Sequence, residues 1–295
     1  MHELVQNAIN GASLGSTYAL LALGLALVYS IMGLINFAHG ELFTIGGYTM
    51  WWTLKHGVPW PLVLLLVPLV CAVAAMLMER IAFRPLRGAG LVTLLITSFA
   101  VSYFLQTVFQ IGISAAPEGI ELPGWVNDTV HVGSYTIASV KLITTGVTLV
   151  ALVALTLFLR RTLLGVSMRA AAEDFQTVRL MGVEANRVVA LAFGLSGALA
   201  GVAALLFFAT TAAVDPPTGT PLVINAFIAV ILGGLGSLSG AVLGGFVLGF
   251  AEVLFEARLP GSTAQFANAF VLLVLVGLLL LRPQGLFGRA AAQSS

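Results

Sequence analysis

Long apolar runs, many of them close to the length of a membrane crossing, alternate along this chain with short clusters of charged residues, Gly and Pro. A helix needs about 20 residues to cross the hydrocarbon core of a bilayer. Because the runs are long and continuous, they do not fit the short alternating strands of a membrane β-barrel. The pattern predicts an all-α, polytopic membrane helix bundle of about eight or nine transmembrane segments. The predicted segments are 9–35, 42–54, 61–78, 91–113, 141–159, 188–211, 222–232, 241–255 and 266–281.

Two of these segments, 42–54 and 222–232, are too short to cross a bilayer alone. The first contains a Gly-Gly pair, and the second runs into a Gly-rich stretch. One short segment lies in each half of the chain, and the predicted topology gives the halves opposite orientations. Paired broken segments of this kind are typical of a transport site between inverted repeats. We therefore expect an inverted repeat, and the candidate site residues of the second half are Gly233, Gly234 and Gly236.

A polar cluster at 36–41 separates the first segment from the first short one. The cluster contains Asn36, His39 and Glu41 and adjoins the end of a helix. Two roles remain open for these residues: they either cap a half-helix or line a substrate path. An ionisable group at membrane depth is costly unless it contacts water or a polar partner. Glu252 also lies in an apolar run, but close to the outer end of its segment, where an interfacial position is favoured.

The distribution of Arg predicts the orientation of the segments. Five Arg and three acidic residues lie among the 28 positions of 160–187, and three further Arg lie between residues 79 and 90. Cytoplasmic loops carry an excess of Lys and Arg. Both stretches are therefore predicted to be cytoplasmic, with the N-terminus outside, in the periplasm, and the C-terminus in the cytoplasm. The first residues lack the basic region of a cleaved signal peptide, so we expect the first helix to be retained.

The stretch 160–187 contains a helical pattern of its own. Apolar residues recur at spacings of three and four, which places them on one face of a helix; they are Met168, Ala171, Ala172, Phe175, Val178 and Met181. Arg169, Glu173 and Asp174 fall on the other face, and Gly182 suits a helix end. Two interpretations remain open for this amphipathic helix. It either rests on lipid headgroups or docks a soluble partner.

Composition and motifs exclude several classes of function. Hydrophobic residues make up 59% of the chain and charged residues 8%, whereas roughly a quarter of the residues of a soluble domain are charged. A net charge of +1 gives no indication of nucleic-acid binding. The sequence has no P-loop, since neither of its two Lys follows Gly, so the chain does not itself hydrolyse ATP by that route. Its four His fall in different segments without ligand spacing, so no metal site is predicted.

One motif raises an enzymatic alternative. Gly194-Leu195-Ser196-Gly197 resembles the Gly-x-Ser-Gly motif of rhomboid-type intramembrane serine proteases. A Ser nucleophile needs a base within hydrogen-bond reach. In rhomboids that His lies on a later helix, and here no His follows His131. Close helix packing is the favoured interpretation of this Gly- and Ala-rich stretch, and the protease stays as a remote alternative.

The chain resembles the permease subunits of bacterial branched-chain amino acid ABC importers, of the LivH type. The matching stretches occur in the family order over nearly the whole chain. They are NFAHGE at 36–41, RAAAED at 169–174, LMGV at 180–183, GALAG at 197–201, LGGLGSLSGAVLGG at 232–245 and RPQGLFG at 282–288.

This resemblance implies one permease domain over 1–295 in the bacterial inner membrane, which moves small neutral aliphatic amino acids. It also implies three kinds of partner: a LivM-type second permease, a periplasmic amino-acid-binding protein and two ABC ATP-binding subunits. The ATP-binding subunits would bind ATP and Mg, and this chain itself is expected to hold no cofactor. Residues 169–182 would then be the coupling helix that contacts an ATP-binding subunit, with Phe175, Glu173 and Asp174 in the docking surface. The family includes permeases for urea and short amides, which remain the alternative substrates.

Overall fold

The computed structural model describes residues 2–127, 129–132, 135–174, 178, 180–181, 184–260, 266–281 and 285. The described residues form ten α-helices and four short strands. The helices are α1 His2–Met32, α2 His39–Lys55, α3 Trp60–Met78, α4 Leu91–Gly112, α5 Ser139–Arg161, α6 Leu163–Glu173, α7 Ala185–Thr211, α8 Gly219–Gly233, α9 Leu238–Arg258 and α10 Ala267–Leu281. A π-helical turn, Glu79–Phe83, and a 3-10 turn, Arg84–Leu86, follow α3, and a second 3-10 turn is Gly124–Asn127. The strands are β1 Glu118–Gly119, β2 Thr129–Val132, β3 Tyr135–Ala138 and β4 Ala213–Val214.

Each of the nine predicted segments coincides with a helix, so the prediction of a helical membrane bundle is confirmed. Six helices are long and apolar enough to cross a membrane, namely Val5–Met32, Trp60–Leu86, Leu91–Gly112, Ser139–Arg161, Asn186–Thr211 and Leu238–Arg258. The two short segments are helices of 17 and 15 residues, α2 and α8. Each follows a long helix, α1 or α7, after a turn of a few residues.

The centre of the bundle is built from α1, α7 and the helices packed on them, and small residues bring their backbones together. A Cβ atom on Gly245 of α9 would lie 2.5 Å from the Cα of Ala19 in α1. On α7, a Cβ on Gly197 would lie 2.3 Å from the carbonyl oxygen of Cys71 in α3. In lipid the hydrophobic effect does not drive helices together, and the van der Waals contacts made at such close approach stabilise their packing instead. The predicted packing role of the Gly-rich stretch of α7 therefore agrees with the structure.

The outer helices α4 and α5 leave large apolar side chains exposed, among them Ile96, Phe104 and Ile111 of α4 and Val150 of α5. Such faces suit lipid or another membrane subunit. The region between α4 and α5 contains three of the four short strands. In the structure β2 and β3 form an antiparallel hairpin, while β1 pairs with β4, with Glu118 opposite Val214.

The basic stretch 160–187 differs from the prediction in its helix bounds. The helix α6 begins at Leu163, where the Thr162 hydroxyl caps it by accepting a hydrogen bond from the Gly165 amide at 3.0 Å. It ends at Glu173, because Asp174 has an extended backbone with φ −149° and ψ 96°. The expectation of one continuous helix through residue 181 is therefore wrong, although Val178 and Leu180 are helical again.

The predicted apolar face is also only partly buried. Met168, Ala171 and Val178 are buried, whereas Ala172 is exposed and Met181 is 78% exposed. The remaining apolar member, Phe175, and the predicted helix end at Gly182 lie outside the described residues.

Candidate functional site

The two short helices meet at their N-terminal ends. A Cβ atom on Gly40, in the first turn of α2, would lie 2.5 Å from the carbonyl oxygen of Gly219, where α8 begins. A Cβ on Gly219 would lie 2.0 Å from the carbonyl oxygen of Gly40. The Gly219 amide donates a hydrogen bond to the Thr44 hydroxyl at 3.1 Å. Only glycine fits at either position. The N-terminal end of each short helix therefore lies inside the bundle, in contact with the N-terminal end of the other.

Glu41 lies beside this junction and is fully buried. Its Oε1 accepts hydrogen bonds from the Ser102 hydroxyl and from Gln106 Nε2, both at 2.8 Å. Gln106 Nε2 also donates to the Thr220 hydroxyl at 2.7 Å. The carboxyl group is therefore shared by α2, α4 and α8. It also lies in the first turn of α2, where the positive end of the helix dipole favours negative charge. The amides of this turn already donate to the carbonyl oxygens of residues 36–38.

Three buried polar atoms of the predicted cluster make no hydrogen bond within the described part of the chain. They are Glu41 Oε2, Asn36 Oδ1 and His39 Nε2. Buried polar atoms are nearly always hydrogen-bonded, so Glu41 Oε2 retains the capacity to accept a hydrogen bond beside the junction. His39 Nε2 faces α1 instead, since a Cβ on Gly24 would lie 3.0 Å from it. The structure thus brings together all three polar residues that the sequence singled out in the first half of the chain.

His39 has a partner that the sequence analysis missed. Its Nδ1 lies 3.2 Å from the hydroxyl oxygen of Ser196 on α7, and that hydroxyl donates to the carbonyl oxygen of Gly24 at 2.9 Å. The Ser196 hydroxyl therefore links the His39 ring to the backbone of α1. Both side chains are buried, and the pair joins α1, α2 and α7.

An aromatic cluster lies beside the junction. Phe37, in the turn before α2, stacks on Phe99 of α4 with ring centroids 4.4 Å apart and meets the edge of Phe227 of α8 at 5.5 Å. The Phe37 amide donates to the Ser98 hydroxyl at 3.3 Å. The three rings therefore form an apolar surface that joins the turn before α2 to α4 and α8.

Glu252, for which the sequence favours an interfacial position, is half-buried and has a polar partner inside the bundle. Its Oε2 accepts a hydrogen bond from the Tyr18 hydroxyl at 2.8 Å, and that hydroxyl accepts one from Asn225 Nδ2 at 3.0 Å. This triad ties α8 to α1 and α9, so the second short helix is held by polar contacts along its length as well as at its start.

The candidate glycines of the second half lie at the other end of α8. Gly234 and Gly236 adopt the left-handed region, with φ +98° and +86°, and a Cβ on Gly233 would lie 2.0 Å from the carbonyl oxygen of Gly240. Since a 15-residue helix is about 22 Å long, they are remote from Asn36, His39 and Glu41. Gly236 instead lines a cavity together with Arg169 of α6.

These features define an integral membrane protein: a multi-pass helical bundle in which two half-length helices meet end to end around buried polar groups. Comparison with known proteins places it more narrowly. A sequence profile described as branched-chain amino acid transport system / permease component matches residues 7–281. The chain belongs to this family, and it is a multi-pass inner-membrane transport subunit rather than an enzyme.

Individual relatives cover nearly the whole chain. The high-affinity branched-chain amino acid transport system permease protein BraD of Pseudomonas aeruginosa is 37% identical over 98% of this chain and 97% of its own length. The corresponding permease protein LivH of Escherichia coli is 36% identical over 97% of this chain and 96% of its own. The permease protein LivM of Salmonella typhimurium is 30% identical over 95% of this chain and 70% of its own. No solved structure matches the chain.

Proposed function

We propose that this chain is the transmembrane permease subunit of an ATP-driven importer that moves branched-chain amino acids from a periplasmic binding protein to the cytoplasm. The observation that carries the proposal is identity of 36–37% to the LivH and BraD permeases over nearly the full length of the chain. The names of these relatives specify branched-chain amino acids and so favour this substrate class over urea or short amides.

The inverted repeat is part of this proposal, and the backbone supports it. Both long helices that precede the short ones end at a left-handed residue, Gly33 with φ +63° and Ala212 with φ +52°. Ala212 follows Gly33 by 179 positions, and Gly219 follows Gly40 by the same 179. The packing repeats as well, because α1 packs on α9 in the way that α7 packs on α3. In this arrangement α2 and α8 together complete one crossing, which with the six long helices and α10 gives eight crossings. Counted separately, the two short helices raise the number of segments to nine.

The junction of α2 and α8 is the proposed half-helix element of the substrate path. Amino-end helix dipoles favour a substrate carboxylate, and Glu41 with Asn36 and His39 supplies polar groups beside them. The rings of Phe37, Phe99 and Phe227 offer the apolar surface that an aliphatic side chain requires. At the far end of α8, Gly233, Gly234 and Gly236 give the chain the tight turn that leads into α9.

The stretch 160–187 is proposed to be a cytoplasmic loop, and its segment 169–182 is the proposed coupling contact with an ABC ATP-binding subunit. Leu180 and Met181 are 89% and 78% exposed in this basic, polar stretch, and exposed apolar patches of this kind mark binding surfaces. Exposed Glu173 and Asp174, together with Arg169, Ala171, Phe175 and Gly182, complete the proposed contact. A LivM-type permease, a second ATP-binding subunit and a periplasmic binding protein complete the assembly, and the ATP-binding subunits bind ATP and Mg.

Uptake of labelled leucine, valine and urea by cells with and without this chain tests the substrate class. We expect leucine and valine uptake to depend on the chain and urea uptake to be unaffected. Uptake of urea without leucine would replace the proposal by a urea permease.

Cysteine labelling tests the proposed topology, with the N-terminus in the periplasm and the C-terminus in the cytoplasm. The only Cys of the chain, Cys71, is buried, so a Cys71→Ser background suits single-cysteine variants. In intact cells an impermeant maleimide should label His56→Cys, which follows α2, and should leave Glu173→Cys unlabelled until the membrane is opened. Both native residues are exposed. The reverse labelling pattern would invert the topology.

Loss of the coupling contact should separate the permease from its ATPase. Phe175→Ala, or Glu173→Lys combined with Asp174→Lys, is expected to abolish uptake and to reduce co-purification of the ATP-binding subunit severalfold, the second through like-charge repulsion with a basic groove. Leu163→Ala is the matched control, because Leu163 is an exposed apolar residue of α6 outside the coupling segment. If the stretch only rests on lipid, Phe175→Ala will change little and the added Lys will strengthen membrane attachment.

A further inference from the structure

A groove runs between α5 and α9 at the end of the bundle that carries α6. Both helices pack on α1, and the groove encloses a cavity of about 640 Å³. Its walls are mainly apolar. They include Leu23 of α1, Leu152, Leu155 and Leu159 of α5, and Val242 and Leu243 of α9. Leu152 and Arg160 are eight residues apart on α5, so the apolar part extends along about 12 Å of helix.

Two arginines line one end of the groove. Arg160 lies in the last turn of α5 and Arg169 on α6. Neither forms an ion pair among the described residues, whose two salt bridges involve Arg87 and Arg187. Glu173 lines a neighbouring cavity of about 520 Å³ together with Arg169, but it does not line this one. The groove therefore joins a long apolar wall to two exposed positive charges at a single end.

We propose that this groove binds one anionic phospholipid, with an acyl chain along α5 and α9 and its phosphate at Arg160 and Arg169. Guanidinium groups bind phosphate oxygens in pairs of parallel hydrogen bonds. Basic pockets between transmembrane helices on the cytoplasmic side are known to favour anionic headgroups. The apolar wall selects a lipid over a free phosphate, since a free anion gains nothing from it. The assignment to the inner leaflet rests on the proposed topology, whereas the preference for an anionic lipid does not.

Such a lipid would link the membrane to the proposed coupling region. Arg169 precedes the exposed Glu173 by one turn of α6, and Gly236, in the turn between α8 and α9, lines the same groove. An anionic headgroup would therefore hold the end of α6 against the start of α9.

Lipid retention by the full-length chain tests the proposal. The chain is reconstituted in two sets of phosphatidylcholine nanodiscs. One set contains spin-labelled phosphatidylglycerol, and the other contains the same amount of spin-labelled phosphatidylcholine. The motionally restricted fraction of each lipid is then measured. We expect the wild type to restrict phosphatidylglycerol severalfold more strongly than phosphatidylcholine. Arg160→Gln with Arg169→Gln should remove this preference. Equal restriction of the two lipids by the wild type would overturn the proposal without any variant.

Two further variants separate the groove from general electrostatic attraction. Arg161→Gln removes the same charge one residue from Arg160, but Arg161 does not line the groove, so the lipid preference should persist. Val242→Trp fills the groove and should lower the restriction of phosphatidylglycerol while both arginines remain. An equal loss in Arg161→Gln and in the double variant would refute a specific site. Exclusion of the lipid when the second permease is bound would assign the groove to that subunit. Leucine uptake is measured separately, so failure of the transport proposal is distinguishable from failure of the lipid site.

Discussion

Gly219→Val should prevent accumulation of the folded permease and abolish leucine uptake. A Cβ at this position would lie 2.0 Å from the carbonyl oxygen of Gly40 and 2.6 Å from the Thr44 hydroxyl. The nearest clash is with backbone, so a rotamer change cannot relieve it. Overpacking typically costs about 1–3 kcal/mol, and a clash with a helix backbone should reach the upper end of that range or exceed it. The amount of folded chain in the membrane fraction and cellular uptake measure the two effects, and thermal unfolding is measured on the milder Gly219→Ala.

Two matched glycines control for the substitution itself. A Cβ on Gly112 or on Gly146 would meet no atom within 4 Å, so Ala at either position should leave the unfolding temperature close to wild type or raise it slightly through helix propensity. Gly219→Ala should already lower it clearly. If Gly219→Ala unfolds and transports like the wild type, the two short helices do not meet as closely as described.

The helices were predictable because lipid imposes a simple rule on sequence. Every backbone polar group in the bilayer must be satisfied internally, so a long apolar run becomes a helix. The short segments were equally readable, because a run of 13 residues such as 42–54 cannot complete a crossing. The observed α2, His39–Lys55, extends that run by only a few residues.

The internal partners of the polar residues were not predictable from one sequence. Glu41 bonds to Ser102 and Gln106, which are 61 and 65 positions away, and Ser196 contacts His39 across 157 positions. No local pattern records such distances. A signal did exist for Glu41, since a carboxylate in an apolar run requires a polar partner, but it does not identify which helix supplies one. The partner of Glu252 was not predictable for the same reason, because Tyr18 lies 234 positions away.

The break in the basic stretch had no sequence signal. Residues 168–181 contain neither Gly nor Pro, and their apolar spacing continues through Met181. The extended backbone at Asp174 therefore appears only in the structure. Periodicity shows which residues can share a helical face, but it does not show whether one helix or two carry them. The break divides the segment that is proposed to contact an ATPase. On one side lies α6, in which Met168 and Ala171 are buried, and on the other side lie Leu180 and Met181, which are exposed.

Arg87→Ala is expected to destabilise the protein strongly. Glu79, the first residue of the π-helical turn after α3, is buried, and Arg87 Nη2 forms an ion pair with its Oε1. Removing one partner of a buried pair leaves an uncompensated charge and typically costs about 3–5 kcal/mol. Thermal unfolding in detergent should therefore show a drop of many degrees. Arg84→Ala is the control, because Arg84 is exposed three positions earlier, and it should unfold like the wild type.

The same guanidinium group also joins the π-helical turn to α7. Arg87 Nη1 donates to Asn186 Oδ1 at 2.6 Å, and Asn186 lies in the first turn of α7, four residues after the proposed coupling segment 169–182. Asn186→Ala keeps the Arg87–Glu79 pair and removes only this bridge, at a cost of about 1 kcal/mol. If the bridge transmits displacement of that stretch to α3, Asn186→Ala should lower leucine uptake per ATP hydrolysed while folding and ATPase binding stay normal. Arg87→Lys should behave similarly, because one ammonium group lacks the planar fork that reaches both partners. Unchanged uptake per ATP in both variants would show that Arg87 only neutralises Glu79.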